Sequence, residues 1–281
     1  MNSMEMQQLT LTQKTFAGIG DLDRRSPAAD VIVLPGRPGA RYLAGYAVSP
    51  LAIEATQKLR YQVFNVELGE GLAESALTGL DRDEFDDHMA HLVLLEHETG
   101  CIVGTYRIQA AQYALDHGVG LYSAIEYDLA PLGPYVEKTL ELGRACLAQD
   151  HRALQAIITL WSGLGHYMNL YELHFLMGCC SITTADPLDG WRALKTLREK
   201  HFLHPELYLR ALPANSCGDP GLEFDPALGD AIPLPKLFRT YMRLGTQVIS
   251  EPAIDRDFGT VDFLAMMDGR EVALSQLDLL R

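Results

Sequence analysis

No segment of the sequence comes near the run of about 20 apolar residues that a membrane span requires, so the chain is not expected to cross a bilayer. The N-terminus, MNSMEMQQLTLTQKTFAGIGDLDRR, lacks a basic start leading into an apolar block, and it lacks a small-residue cleavage site. Without those marks of secretion the expected location is the cytoplasm. Five cysteines (Cys101, Cys146, Cys179, Cys180, Cys217) form no CxxC pair and no zinc spacing, so they read as reduced, mostly core thiols and no metal is expected. Basic residues are outnumbered, 23 against 37 acidic ones. The formal charge of -14 argues against a general nucleic-acid binder, whose phosphate contacts need a basic surface. An acidic protein partner would need a local basic patch.

At 281 residues, with no visible repeat, the chain fits one large domain. Residues 1-45 are polar, broken by Pro35-Gly36 and Pro38-Gly39, and read as an extension ordered at best in part; residues 46-281 hold the domain. Ile53, Leu59, Val63 and Val66 recur at helical spacing in PLAIEATQKLRYQVFNVEL, with Arg60 and Phe64 one turn apart. The acidic stretch LTGLDRDEFDDH precedes two apolar runs, MAHLVLLE and CIVGTYRIQ, that read as a β-hairpin. TLELGRACL reads as a strand, and Asp150 offers an N-cap for a helix from His151 to about Tyr171. HFLMGCCSI, ELYLRALP and TVDFLAMMD read as further strands; PLDGWRALKTLREK, capped by Asp186, and LPKLFRTYMRLGTQ read as helices. This order predicts a mixed α/β sheet with helices on its faces.

The strand TLELGRACL raises a question, because Glu141 and Arg144 are charges in an apolar run. Buried charges are costly unless paired, so one reading is an ion pair that ties two elements together. Strict alternation places the two on opposite faces. A bulge at Gly143 would turn both toward one cleft and free a backbone N–H for an oxyanion.

Several motifs stand in order around that strand: R-x-x-x-F (Arg60, Phe64), D-x-F-D (Asp83, Phe85, Asp86), V-G-x-x-R (Gly104, Arg107) and E-L-x-R (Glu141, Arg144). With LYSAIEYDL, FLMGCCSI and the tail RLGTQVISEPAIDRDFGTVDFLAMMD, the set resembles the acyl-homoserine-lactone synthases and N-acyl amino acid synthases, and most nearly the ornithine N-acyltransferase branch, often labelled hemolysin-like. The resemblance runs from about Leu51 to Asp268. It implies a GNAT-like α/β fold, a largely antiparallel sheet with helices on both faces, and transfer of a long-chain acyl group from acyl carrier protein to an amino acid's α-amine. Ornithine is the acceptor it implies first, with glycine or another amino acid as alternatives; a non-catalytic acyl- or lipid-binding protein is the rival from another class.

On that resemblance Glu141 is the candidate general base, acting directly or through a water, and backbone amides near Gly143 to Ala145 are candidates for the oxyanion site. Arg144 or Arg107 could grip the acceptor's carboxylate, or could instead pair with Asp83 or Asp86 and order the acidic loop. Arg60, Phe64 and Phe85 complete the implied substrate site. Asp83, Glu84, Asp86 and Asp87 are available to an ornithine side-chain ammonium. Coenzyme A-dependent relatives in the wider fold carry a Gly-rich loop where this chain has LAQDHRALQ, so the expected donor is carrier-bound phosphopantetheine and no separate cofactor is expected. Arg152 could meet the arm's phosphate, and the basic patch for an acidic carrier would come from Arg192, Lys195, Arg198, Lys200 and His201, or from Lys236, Arg239 and Arg243. Contact with the inner membrane surface is left open. His88 and His91 have the wrong spacing for a metal on one strand face, Cys146 has no histidine to activate it, and Trp161, Trp191 and FLAMM read as core or acyl-tunnel lining.

Overall fold

The computed structural model describes residues 30–270; the rest of the stretch read as an extension, residues 1–29, and the last eleven positions of the domain lie outside the described residues. Apolar runs give the hairpin β3 (Ala90–Glu96) and β4 (Ile102–Ala110), followed by β5 (Thr139–Leu147), β6 (Phe175–Ile182) and β9 (Thr260–Asp268). Two strands precede them, β1 (Val31–Val33) and β2 (Tyr42–Ala47), and β7 (Gln247–Val248) and β8 (Ala253–Asp255) flank β9. The order is β1-β2-β3-β4-β5-β6-β9-β7, with β8 also on β9, and every pairing is antiparallel except β5 with β6. The domain therefore begins before position 46, because β2 pairs with β3 across that boundary and buries Tyr42 and Ala44.

Helices cover both faces. On one side α1 (Pro50–Tyr61), which runs on as a π-helical segment at Gln62–Leu68, packs Ala52 against Val93 and Leu95. Its buried face is not the expected apolar stripe: Thr56, Gln57 and Arg60 are buried there while Val66 is exposed. A short helix, α2 (Ala111–Asp116), follows β4. On the opposite side α3 (Leu154–Leu170) packs Leu160 and Leu164 over Leu92, Leu94 and Ile108. The α3 helix starts later than expected. Asp150 sits in a 3-10 turn, Gln149–His151, and Ala153 takes the cap position without a side-chain bond. Helix α4 (Pro187–Glu199) is capped by Asp186 as expected, and α5 (Lys236–Arg243) is shorter than its pattern because the chain turns at Gly245 with φ +96°. ELYLRALP is not a strand. Leu207 and Leu209 are buried, but the segment meets the sheet only through isolated bridges such as Leu209 with Ser250. Among the described residues no helix is long and apolar enough to cross a membrane.

The sheet is irregular at one place. Arg107 opposes Gly143 and Thr105 opposes Cys146, so Arg144 and Ala145 on β5 face the single residue Tyr106 on β4. This is a bulge, and Arg144 takes a left-handed φ of +50° that a non-glycine residue adopts only under constraint. The parallel pairing of β5 with β6 ends just there, at Leu142 opposite Gly178. Gly178 permits the last close approach, since a Cβ at that position would lie 2.5 Å from the Leu142 carbonyl oxygen. Gly178→Ala is expected to lower stability by about 1–3 kcal/mol through overpacking, a Tm decrease of roughly 2–12 °C for a chain of this size. A calorimetric melt at the wild-type Tm would contradict the assignment.

Candidate active site

Arg60 points from α1 into the interior and is fully buried, which demands acceptors for its nitrogens. Asp81 and Asp86 supply them. Nε and Nη2 donate to Asp81 Oδ1 at 3.1 and 2.8 Å, Nη1 donates to Asp86 Oδ1 at 2.7 Å, and Nη2 also donates to Asp86 Oδ2 at 3.0 Å. The loop bearing these acids is shaped by its own capping box: Asp83 accepts from Phe85 N, and Asp86 accepts from Asp83 N, both at 2.9 Å. Arg107 on β4 then donates through Nη1 to Asp83 and to Asp86, the latter at 3.0 Å. Arg144 donates to Asp81 at 3.2 Å, to Asp83 at 2.9 Å and to the Tyr122 hydroxyl at 3.1 Å. Three guanidinium groups thus meet three carboxylates.

The charges in this cluster set its protonation. Burial alone would raise the Asp86 pKa, but Arg60 and Arg107 hold its carboxyl well below the usual carboxylate range. Burial pushes His91 down to about 4 against the pull of Asp86, so at neutral pH it is an uncharged imidazole whose Nε2 bonds the Asp86 carbonyl at 3.1 Å. Among the described residues Arg107 Nε and Nη2 have no hydrogen-bond acceptor, and its guanidinium lies 5.8 and 5.3 Å from the ring centres of Phe85 and Tyr122.

Beyond the bulge, the divergence of β5 from β6 opens a cavity of about 580 Å³, within the range of roughly 300–1,000 Å³ typical of small-molecule sites. Gly143, Arg144 and Ala145 form one wall and Gly178 to Ser181 the other; Phe64 and Phe258, edge to face at 6.1 Å, also line it. A smaller apolar space of about 90 Å³ shares the same two strand walls and reaches Trp161, Leu164 and Met267. Glu141 stands in the cavity wall with both oxygens engaged. Oε1 accepts from the Ser123 amide at 2.9 Å and the Ser123 hydroxyl at 2.6 Å; Oε2 accepts from the Tyr122 amide at 3.0 Å and Gln109 Nε2 at 2.6 Å. Four donors therefore hold the carboxylate in place, and Ser123 lines the cavity beside it. Cys146 is buried and its thiol is pushed up to about 12, so it is no thiolate.

A family model described as Acetyltransferase (GNAT) domain matches residues 59–162. The L-ornithine N(alpha)-acyltransferase of Rhodobacter capsulatus is 35% identical over 77% of this chain and 85% of its own length, and that of Brucella abortus is 30% identical over 93% and 92%. The chain belongs to the L-ornithine N(alpha)-acyltransferase family. In fold it matches FeeM, an N-acyl amino acid synthase from uncultured soil microbes, with a TM-score of 0.51 over 84% of this chain and 98% of that one at 14% identity. It is a GNAT-fold acyltransferase.

Within this family member the residues named from sequence divide into two groups. Glu141, Arg144, Gly143, Ala145, Phe64 and Arg152 line the cavity. Arg60, Asp83, Phe85, Asp86 and Arg107 are instead drawn together beside it, where Arg107 bonds the acidic loop through Nη1 alone and Arg144 bonds it through Nε and Nη2. Asp83 and Asp86 are likewise taken by arginines, while Glu84 and Asp87 are exposed. The cations of α4 are mostly bound within the chain, Arg192 to Asp189 at 2.8 Å and Arg198 to Glu223, with Lys195 near the Gly229 carbonyl at 3.3 Å. None of these three lines the cavity. Arg152, paired with Glu67, and Lys236 at the start of α5 do.

Sequence reasoning missed Asp81, Tyr122, Ser123, Glu126 and Asp262. Asp262 carried the signal that singled out Glu141, an acid inside an apolar strand. Asp86→Asn is expected to cost about 3–5 kcal/mol by leaving guanidinium charge buried and uncompensated. Because the Asp86 carboxyl is held low in the fold, its stabilisation is complete above about pH 4 and fades as pH falls below its ordinary value of 3.8. Urea melts should therefore show the gap between variant and wild type in full at pH 7 and narrowing in acid; an equal gap at both would overturn the assignment.

Proposed function

We propose that the protein transfers a long-chain acyl group from the phosphopantetheine thioester of acyl carrier protein to the α-amine of ornithine. The observation that carries this reading is the β5–β6 cavity, where the unpaired bulge residues Arg144 and Ala145 stand with the Ser123–Glu141 pair in one space. The relatives whose printed name is L-ornithine N(alpha)-acyltransferase support the acceptor.

The chemistry needs three things. The attacking nitrogen must shed a proton, and the Ser123 hydroxyl relays it to Glu141. The thioester carbonyl oxygen becomes an oxyanion, which the backbone N–H groups at Arg144 and Ala145 receive, since neither residue has a register partner on β4 or β6. The N–C bond forms, the C–S bond breaks, and the departing pantetheine thiolate takes up the proton held at Glu141. The acyl chain runs into the apolar space beside Trp161 and Met267. No covalent enzyme intermediate is needed. Arg152 and Lys236 at the cavity offer positive charge to the arm's phosphate and to the acidic carrier.

Mass spectrometry of products tests the reading, with palmitoyl-acyl carrier protein or palmitoyl-coenzyme A supplied beside a pool of amino acids. The expected product is N-palmitoyl ornithine, formed mainly from the carrier protein. Glycine as the favoured acceptor, or coenzyme A as the favoured donor, would replace that part of the assignment. No product, with the acyl chain still bound, would favour a lipid-binding protein. Ser123→Ala is expected to lower kcat by about a hundredfold, with the fold retained by circular dichroism.

A further inference from the structure

The cavity has an acidic end that the transfer chemistry does not use. Glu70, Asp255 and Asp262 line it, and Glu126 adjoins Asp262. None of these four forms an ion pair among the described residues. One ligand atom each of Glu126, Cys179 and Asp262 lies within 4.8 Å of the other two. Glu126 is 2% exposed, and its Oε2 is buried without a hydrogen-bond partner among the described residues, a costly state for a carboxylate oxygen. Asp262 accepts from the Thr260 hydroxyl at 2.9 Å. Burial, with each acid repelled by its acidic neighbours, pushes Asp262 up to about 6 and Glu126 well above its ordinary value.

The strand register places this trio relative to the reaction centre. Glu141 opposes Met177 on β6 and Ser181 opposes Asp262 on β9, so Glu141, Cys179 and Asp262 share one face of the sheet. Cys179 lies two residues beyond Met177, roughly 7 Å along the strand from the level of Glu141. The two amines of an extended 2,5-diamino acid stand roughly 6 Å apart across five single bonds.

We infer that Glu126, Asp262 and the Cys179 sulfur form a pocket for the second, side-chain ammonium of a diamino acid acceptor, and that this pocket selects such acceptors over those with one amine. The inference rests on the acceptor entering the β5–β6 cavity as proposed above. An ammonium presents three N–H donors, and the trio presents three acceptors, two of them carboxylates. A divalent metal suits the trio less well, because it would require the Cys179 thiolate, and burial beside Glu126 and Asp262 holds that thiol well above its ordinary value.

Isothermal titration of the full-length protein with L-ornithine and with L-norvaline, the same skeleton without the second amine, tests the pocket without needing acyl transfer. Ornithine is expected to bind at least about tenfold more tightly, and Glu126→Gln and Asp262→Asn are each expected to remove most of that preference. Equal wild-type affinities, or a preference that survives in both folded variants, would overturn the inference. So would a stoichiometric metal found by elemental analysis of the wild-type protein and lost from the variants. The wild-type comparison stands alone should a variant fail to fold. A protein that prefers ornithine yet forms no acylated product upholds the pocket and defeats only the transfer reading.

Discussion

The neutralisation of three aspartates, Asp81 and Asp86 buried and Asp83 partly so, by three arginines is the constraint on which the site depends. Arg60 from α1, Arg107 from β4 and Arg144 from β5 converge on Asp81, Asp83 and Asp86 of one loop. No member can be withdrawn without leaving an opposite charge buried, a far larger cost than the pair's net contribution to stability. The geometry of β5 follows from this. A left-handed backbone at Arg144 would relax into a regular strand were its guanidinium not fastened to Asp81, Asp83 and Tyr122. The bulge then ends the regular pairing of β5 where it leaves β6, and the cavity is the space between them.

Glu141 extends the same logic to the neighbouring segment. By accepting from the amides of Tyr122 and Ser123 it fixes the turn that aims the Tyr122 hydroxyl at Arg144. The two charges in TLELGRACL therefore do not pair with each other. They act through Tyr122, one at each end of that residue, and together they set the wall of the cavity. A carboxylate so held is pre-organised: its orientation costs nothing at the moment of reaction, in keeping with how fixed dipoles act in active sites.

The strands that flank the site were legible because TLELGRACL and TVDFLAMMD are apolar runs of strand length, and the ordered motifs brought the family with them. The charged pair at odd spacing pointed to a bulge at Gly143; the structure keeps Gly143 in register with Arg107 and places the bulge one residue on, at Arg144 and Ala145. The buried face of α1 was not legible, since the burial of Arg60 is affordable only through acids more than twenty positions away that periodicity cannot see. Nor was the acidic end of the cavity. Glu126 lies in an irregular segment, and Asp262, although an acid inside an apolar strand, shows which face it shares only through the register with Ser181. The assignment of Arg107, Asp83 and Asp86 to substrate follows naturally from their motifs, while the structure draws them into each other.

The spread of the ion cluster along the chain bears on how the molecule assembles. Its six members run from position 60 to position 144, and the carboxylates come between the first arginine and the last two. A chain emerging from the ribosome through Arg107 carries three aspartates of the set and two of its arginines, so the loop holds an uncompensated negative charge until β5 is complete. Charge balance and the long-range β4–β5 ladder must arrive together, and contacts of such separation form slowly. The half-sheet from β1 to β4 can gather its apolar residues before β5 is made, whereas the cleft needs both β5 and β6.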